Sequence, residues 1–108
     1  MKNFNWLVLF WLFVPNLYAD TFDWGNLKKD RIELKLPLLT IQGAKGLLAC
    51  GYVNVSTCNK TGEACAIVSG VNLHDDMLSK PVLAVSEEAI KLGIQIGMPG
   101  ADALELLR

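Results

Sequence analysis

Hydrophobic and charged positions alternate over residues 31–36. Ile32, Leu34 and Leu36 are apolar, and Arg31, Glu33 and Lys35 between them are charged. A period of two predicts a half-buried strand with one wet face. Pro37 interrupts it. Leu38 to Gln42 predicts a second short strand, and Gly43-Ala44-Lys45-Gly46 a tight turn. Leu47 to Val53 predicts a third, mostly apolar strand, with Gly51 as a bulge or a point of close approach. Three consecutive strands joined by short turns predict an antiparallel meander.

The pattern changes after Val53. Asn54 is placed to cap a helix over Val55 to Thr61, and Gly62 to close it in the left-handed conformation. Ala64 to Ser69 reads as a buried strand. Asn72 and Asp75 resemble a capping box that opens a helix over Leu73 to Ser79. Pro81 to Val85 reads as another buried strand. Ser86 caps a helix with Glu87 and Glu88 in its first turn, where they favour the dipole, and Gly93 ends it. Met98-Pro99 opens the last helix, with Pro at its first position, and Ala103, Leu104 and Leu107 form its apolar face. The strands near 64–69 and 81–85, separated by a helix, predict a parallel crossover. The fold class is α+β: an N-terminal antiparallel β-meander followed by alternating helices and strands, in a single small domain over 31–108.

The start of the chain follows a different pattern. Trp6 to Val14 is an unbroken apolar run of nine residues, preceded by Lys2 and followed by Pro15-Asn16 and Leu17-Tyr18-Ala19. These are the three parts of a secretory signal. Crossing the hydrocarbon core takes about 20 apolar residues, so the run is short for a span. Residues 1–19 are therefore expected to be a signal peptide cleaved before Asp20, and residues 20–30 a linker or arm. The mature form would be exported, periplasmic or secreted, with no stable membrane span. Leu17 is not the small residue preferred three positions before a cleavage point. That leaves the alternative of an uncleaved start, with a cytoplasmic or membrane-anchored chain.

The chain has 108 residues, of which 52% are hydrophobic and 19% charged, with a formal net charge of −1. These values exclude intrinsic disorder and a polybasic nucleic-acid binder. Cleavage after Ala19 would remove one of the 10 basic residues and none of the 11 acidic ones, giving −2. A chain this short has a limited core and often gains stability by association. The apolar face of the N-terminal strands is the expected surface for a dimer or tetramer.

Candidate chemistry is sparse. Cys50, Cys58 and Cys65 are spaced by eight and seven residues, which matches no zinc pattern, and His74 is the single histidine. Either all three cysteines are small buried apolar residues or two of them pair, Cys58 and Cys65 being closest in sequence. Cys50 is the one weak catalytic candidate, at a strand end beside Gly51, where backbone can approach a ligand. A nucleophilic thiol needs a base and a lowered pKa. His74-Asp75-Asp76 reads as the solvated face of a helix, with no metal and no cofactor implied. Gly93, Gly97 and Gly100 lack the strand and the Lys-Ser/Thr of a phosphate loop and read as helix caps and a turn. The start of the last helix still favours anions, so Gly97 and Gly100 join Cys50 and Gly51 as candidate ligand-binding positions.

Several phrases occur together: Lys35-Leu36-Pro37, Cys50-Gly51, Ala66-Ile67-Val68-Ser69-Gly70-Val71, and the run LGIxxGMxGxxAL from Leu92 to Leu104. In these the chain resembles the YunC-like family, a bacterial and archaeal domain of unknown function, from about residue 31 to the end. The resemblance implies a small α+β domain whose N-terminal β region drives tetramerisation, with no established activity or cofactor. Members are usually leaderless, and Cys58 and Cys65 stand where the family pattern does not call for cysteine. The functional expectation is a small exported homo-oligomeric module, non-catalytic, that binds a small molecule or a protein partner. The alternative is a thiol-dependent enzyme or redox protein using Cys50.

Overall fold

The hairpin that alternation announces does form, but three residues earlier than expected. The computed structural model describes residues 21–108, and the signal segment expected over 1–19 lies outside them. Five strands and four helices lie among the described residues. The strands are β1 (Lys28–Ile32), β2 (Leu38–Gln42), β3 (Leu47–Ala49), β4 (Cys65–Ile67) and β5 (Ala84–Val85). The helices are α1 (Val55–Thr61), α2 (His74–Ser79), α3 (Glu87–Lys91) and α4 (Gly100–Leu107). The class is α+β, with one mixed sheet in the order β1-β2-β3-β4-β5.

β1 pairs antiparallel with β2, from Lys28 opposite Gln42 to Ile32 opposite Leu38. Residues 28–30, expected as the end of the arm, are thus the first half of the strand. Residues 33–37 are the connection rather than strand, because the ladder ends at Leu38 and Pro37 has no N–H to extend it. Ahead of β1, Leu27 is buried, and Phe22 and Trp24 pack on the core. The last residue holds this segment. Arg108 Nη2 donates to the Asp23 carbonyl at 2.5 Å, and Asn26 Nδ2 donates to the Arg108 carbonyl at 3.0 Å.

β2 and β3 complete the expected antiparallel meander. The chain then crosses through α1 and returns as β4, parallel to β3. The parallel pair is therefore β3/β4. The pairing expected to be parallel, β4 with β5, is antiparallel. A parallel crossover needs its connecting helix laid over the sheet between the two strands. Instead, α2 packs against α4 and beside β2, so the chain re-enters in the opposite sense.

Local signals place α1 where Asn54 and Gly62 put it. The Asn54 side chain accepts from the Ser56 N–H at 2.7 Å, and Gly62 is left-handed at φ 78°. Cys58 is its one buried residue, and it forms a disulfide with Cys65 at the start of β4, Cα–Cα 6.3 Å. The reading of three unpaired cysteines is thereby corrected, because the inward face of α1 lies against β4. In α2 the capping carboxylate is Asp76, not Asp75: its Oδ2 accepts from the N–H groups of Asn72 and Leu73, each at 3.0 Å.

The core lies between the sheet and the α2/α4 pair. Leu39, Ile41, Leu48, Met77, Leu104 and Leu107 are fully buried. Each such side chain is worth about 1.5–3 kcal/mol relative to exposure. α4 buries Ala101, Ala103, Leu104 and Leu107 on one face, as its apolar spacing predicts. Among the described residues no helix is long and apolar enough to cross a membrane.

Candidate functional site

Two parallel strands end at the same edge of a sheet, and the loops that follow them diverge there. Ligands of open sheets with parallel strands bind in the crevice outside those carboxyl ends. In this protein β3 leads into Cys50-Gly51-Tyr52, and β4 leads through Val68 into Ser69-Gly70-Val71-Asn72. The two loops and the Leu36-Pro37 connection line a cleft of 520 Å³. That volume lies within the usual range for small-molecule sites.

The floor of the cleft is held by hydrogen bonds. Cys50 is 4% exposed. Its Sγ accepts from the Leu39 N–H at 3.3 Å and lies 3.9 Å from the Pro37 carbonyl, toward which the thiol donates. Val68 N–H donates to the Ala49 carbonyl at 2.9 Å, continuing the parallel pair to the cleft's edge. On the rim, Arg31 Nη1 donates to the Asn72 carbonyl at 2.7 Å. The guanidinium also pairs with Glu33, which raises the Arg31 pKa and lowers that of Glu33, chiefly through their hydrogen bond.

The cleft glycines differ in their reasons. Gly70 has φ 72°, a conformation that favours glycine. Gly51 has no positive φ, and a Cβ added there would meet nothing within 4 Å. Neither backbone conformation nor packing requires glycine at 51. What its missing side chain leaves is open space at a residue that lines the cleft.

The four candidate positions from the sequence therefore fall into two groups. Cys50 and Gly51 line the cleft. Gly97 and Gly100 belong to the turn into α4. Gly97 has φ 97° and its N–H donates to the Val82 carbonyl at 2.8 Å, while Gly100 is wedged under α2. His74 Nε2 lies 2.8 Å from the Asp30 carbonyl, directed at β1. The imidazole that a Cys50 nucleophile would need is thus engaged elsewhere, and Cys58 and Cys65 are committed to each other. Among the described residues no group of three or more His, Cys, Asp or Glu side chains is placed to hold a metal ion.

Sequence reasoning passed over Tyr52, Ser69, Val71 and Asn72. The signal was there: Ser69-Gly70 follows β4 as Cys50-Gly51 follows β3. It becomes informative only once β3 and β4 are known to be parallel neighbours.

The profile of a family described as "Domain of unknown function (DUF1805)" matches residues 49–107 of the chain, which run from the last residue of β3 through α4 and include both cleft loops. The chain is 31% identical over 80 residues to the "Uncharacterized protein YunC" of Bacillus subtilis (strain 168), covering 68% of this chain and 79% of that protein. Its structure is similar to the crystal structure of a protein of unknown function, TA1206, from Thermoplasma acidophilum. That match has a TM-score of 0.67 and 37% identity, over 76% of this chain and 93% of that one.

Proposed function

The chain belongs to the DUF1805 family of domains of unknown function, and from that premise we propose that it is a small exported binding module, non-catalytic and self-associating, that takes a small molecule in the β3/β4 cleft. The observation that carries this reading is the cleft itself, at the carboxyl ends of the parallel pair, with Gly51 open beside it. The test is native mass spectrometry of the purified protein after incubation with a small-molecule extract of the source cells. A bound mass is expected in the wild type and absent in Gly51→Leu. Since the Gly51 Cβ has free space, that variant should keep its melting temperature. Equal loading of the two proteins would exclude the cleft.

A non-catalytic role is supported by the surroundings of Cys50. Its sulfur is engaged by Leu39 and Pro37, and His74 is held at β1. The thiol-enzyme alternative predicts a fast reaction of Cys50 with iodoacetamide at neutral pH. The binding reading predicts a slow one, as befits a buried thiol.

Export is supported by two independent features. One is the nine-residue apolar run ahead of Pro15. The other is the Cys58–Cys65 disulfide, a bond that persists mainly in oxidising compartments. In a bacterial host the protein is expected in the osmotic-shock fraction with Asp20 as its first residue. Intact Met1 on protein confined to the cytosol would overturn this.

A further inference from the structure

We infer that the cleft is selective for an uncharged, ring-bearing small molecule with one hydrogen-bonding edge. This rests on the cleft reading above and names the chemistry of its ligand.

The lining is mostly apolar, with Leu36, Pro37 and Val71 beside the half-exposed Tyr52. A flat ring gives such walls a large contact area for few rotatable bonds, and Tyr52 offers a face or edge for aromatic pairing. The polar residues of the lining are Ser69, Asn72 and Cys50. Ser and Asn each both donate and accept, which suits a neutral edge carrying a hydroxyl or an amide. The described lining residues carry no formal charge.

Charged side chains stand nearby, but outside the walls. Arg31 reaches the rim of the cleft at the Asn72 carbonyl, and its guanidinium is paired with Glu33. Lys80 is not among the lining residues, and its Nζ stands 3.9 Å from where a Gly70 Cβ would be. A carboxylate or ammonium entering the cleft would shed hydration among lining residues that carry no countercharge, which is costly. A neutral ring loses little water and gains the walls.

Three probes of one ring size separate these cases: phenol, benzoate and benzylamine, neutral, anionic and cationic at pH 7. Each is titrated into the ¹⁵N-labelled full chain, and amide shifts are followed by NMR. Phenol is expected to shift Gly51, Gly70 and Val71 saturably. Benzoate and benzylamine should bind there at least about tenfold more weakly. In Gly51→Leu the phenol shifts at Gly70 and Val71 should vanish while the rest of the spectrum is kept. If benzoate binds as tightly as phenol at these amides, Lys80 sets the charge preference and the neutral class is wrong, although the cleft reading stands. The same holds for benzylamine with Glu33 in that role. If none of the three shifts these amides, both the ligand class and the cleft reading fail.

Discussion

Gly97 and Gly100 sit three residues apart in one turn and are glycines for different reasons. Gly97 has φ 97°, and a Cβ there would meet nothing within 4 Å. Gly100 has no positive φ, but a Cβ there would lie 1.9 Å from the Met77 carbonyl oxygen and 3.1 Å from Leu48 Cδ2. The first is conformational, the second a packing requirement. Gly97→Val should therefore cost more than about 1 kcal/mol through backbone strain alone, with the native core otherwise kept. Gly100→Ala should cost at least the roughly 1–3 kcal/mol of an overpacked core. It must push α4 off α2, so it should also broaden the thermal transition. Urea melts with matched m-values check both. A Gly100→Ala melt indistinguishable from wild type would show that α4 is not seated as closely as described. The sequence marks both positions as glycine in a helix-bounding phrase. It does not separate the two reasons, because the atom that forbids Ala at 100 belongs to Met77, on another helix.

Elements whose causes are local were legible, and those whose causes are distant were not. α1 lies where Asn54 and Gly62 predict, and α3 is capped by Ser86, whose hydroxyl accepts from the Ala89 N–H. Both signals act within a few residues of the chain. β1 slipped by three residues because its register is set by Leu38 and Gln42 on β2, not by its own alternation. The sense of β4 against β5 was missed because α2 is drawn toward α4 by Met77 and Leu78, both fully buried. The other pairing of β4, with β3, decides how much of the site can be seen. Cys50 and Gly51 were found as a strand end, but Ser69 and Asn72 join them only through the β3/β4 register. The disulfide belongs to this scale as well. It closes a short loop that pins α1 to β4, and closing a loop of this length contributes about 2.5 kcal/mol in the chain-entropy account. Replacing both Cys58 and Cys65 by Ser should lower the unfolding free energy by roughly that amount, and adding reductant should do the same to the wild type but nothing to the variant. If reductant leaves wild-type melts unchanged while the thiols titrate as free, the bond is not holding the helix.

At the scale of the molecule, the described residues leave one face without a cover. All five residues of β1 are exposed, although the strand is fully paired to β2 along one edge. At its end and just beyond, Ile32, Leu34 and Leu36 are 55%, 48% and 65% exposed, so the apolar side of the predicted alternation is uncovered. A strand bare on both faces gains little from packing, and a free edge is a template for pairing with another chain. His74 Nε2, 2.8 Å from the Asp30 carbonyl, meets β1 at one point, and the charges close little of the rest. Lys28 and Asp30 pair loosely at 3.9 Å, and Arg31 is drawn to Glu33 and Asn72. A second copy laid against β1 would cover Ile32 and Leu34 and extend the pairing of the edge, as the self-associating reading requires. Leu34 is the best probe, because it lies outside the buried core and outside the cleft lining, so its loss does not hollow out the monomer. Sedimentation of the wild type at micromolar concentration should give a dimer or tetramer. Leu34→Asp should shift the mass to that of a monomer while the far-ultraviolet spectrum is kept, and Leu34→Met should leave the assembly intact. A wild type that sediments as a monomer would defeat the assembly. An assembled Leu34→Asp would move the contact away from the N-terminal strands, toward the other exposed apolar residues Leu83 and Ile96 at the opposite end of the sheet order.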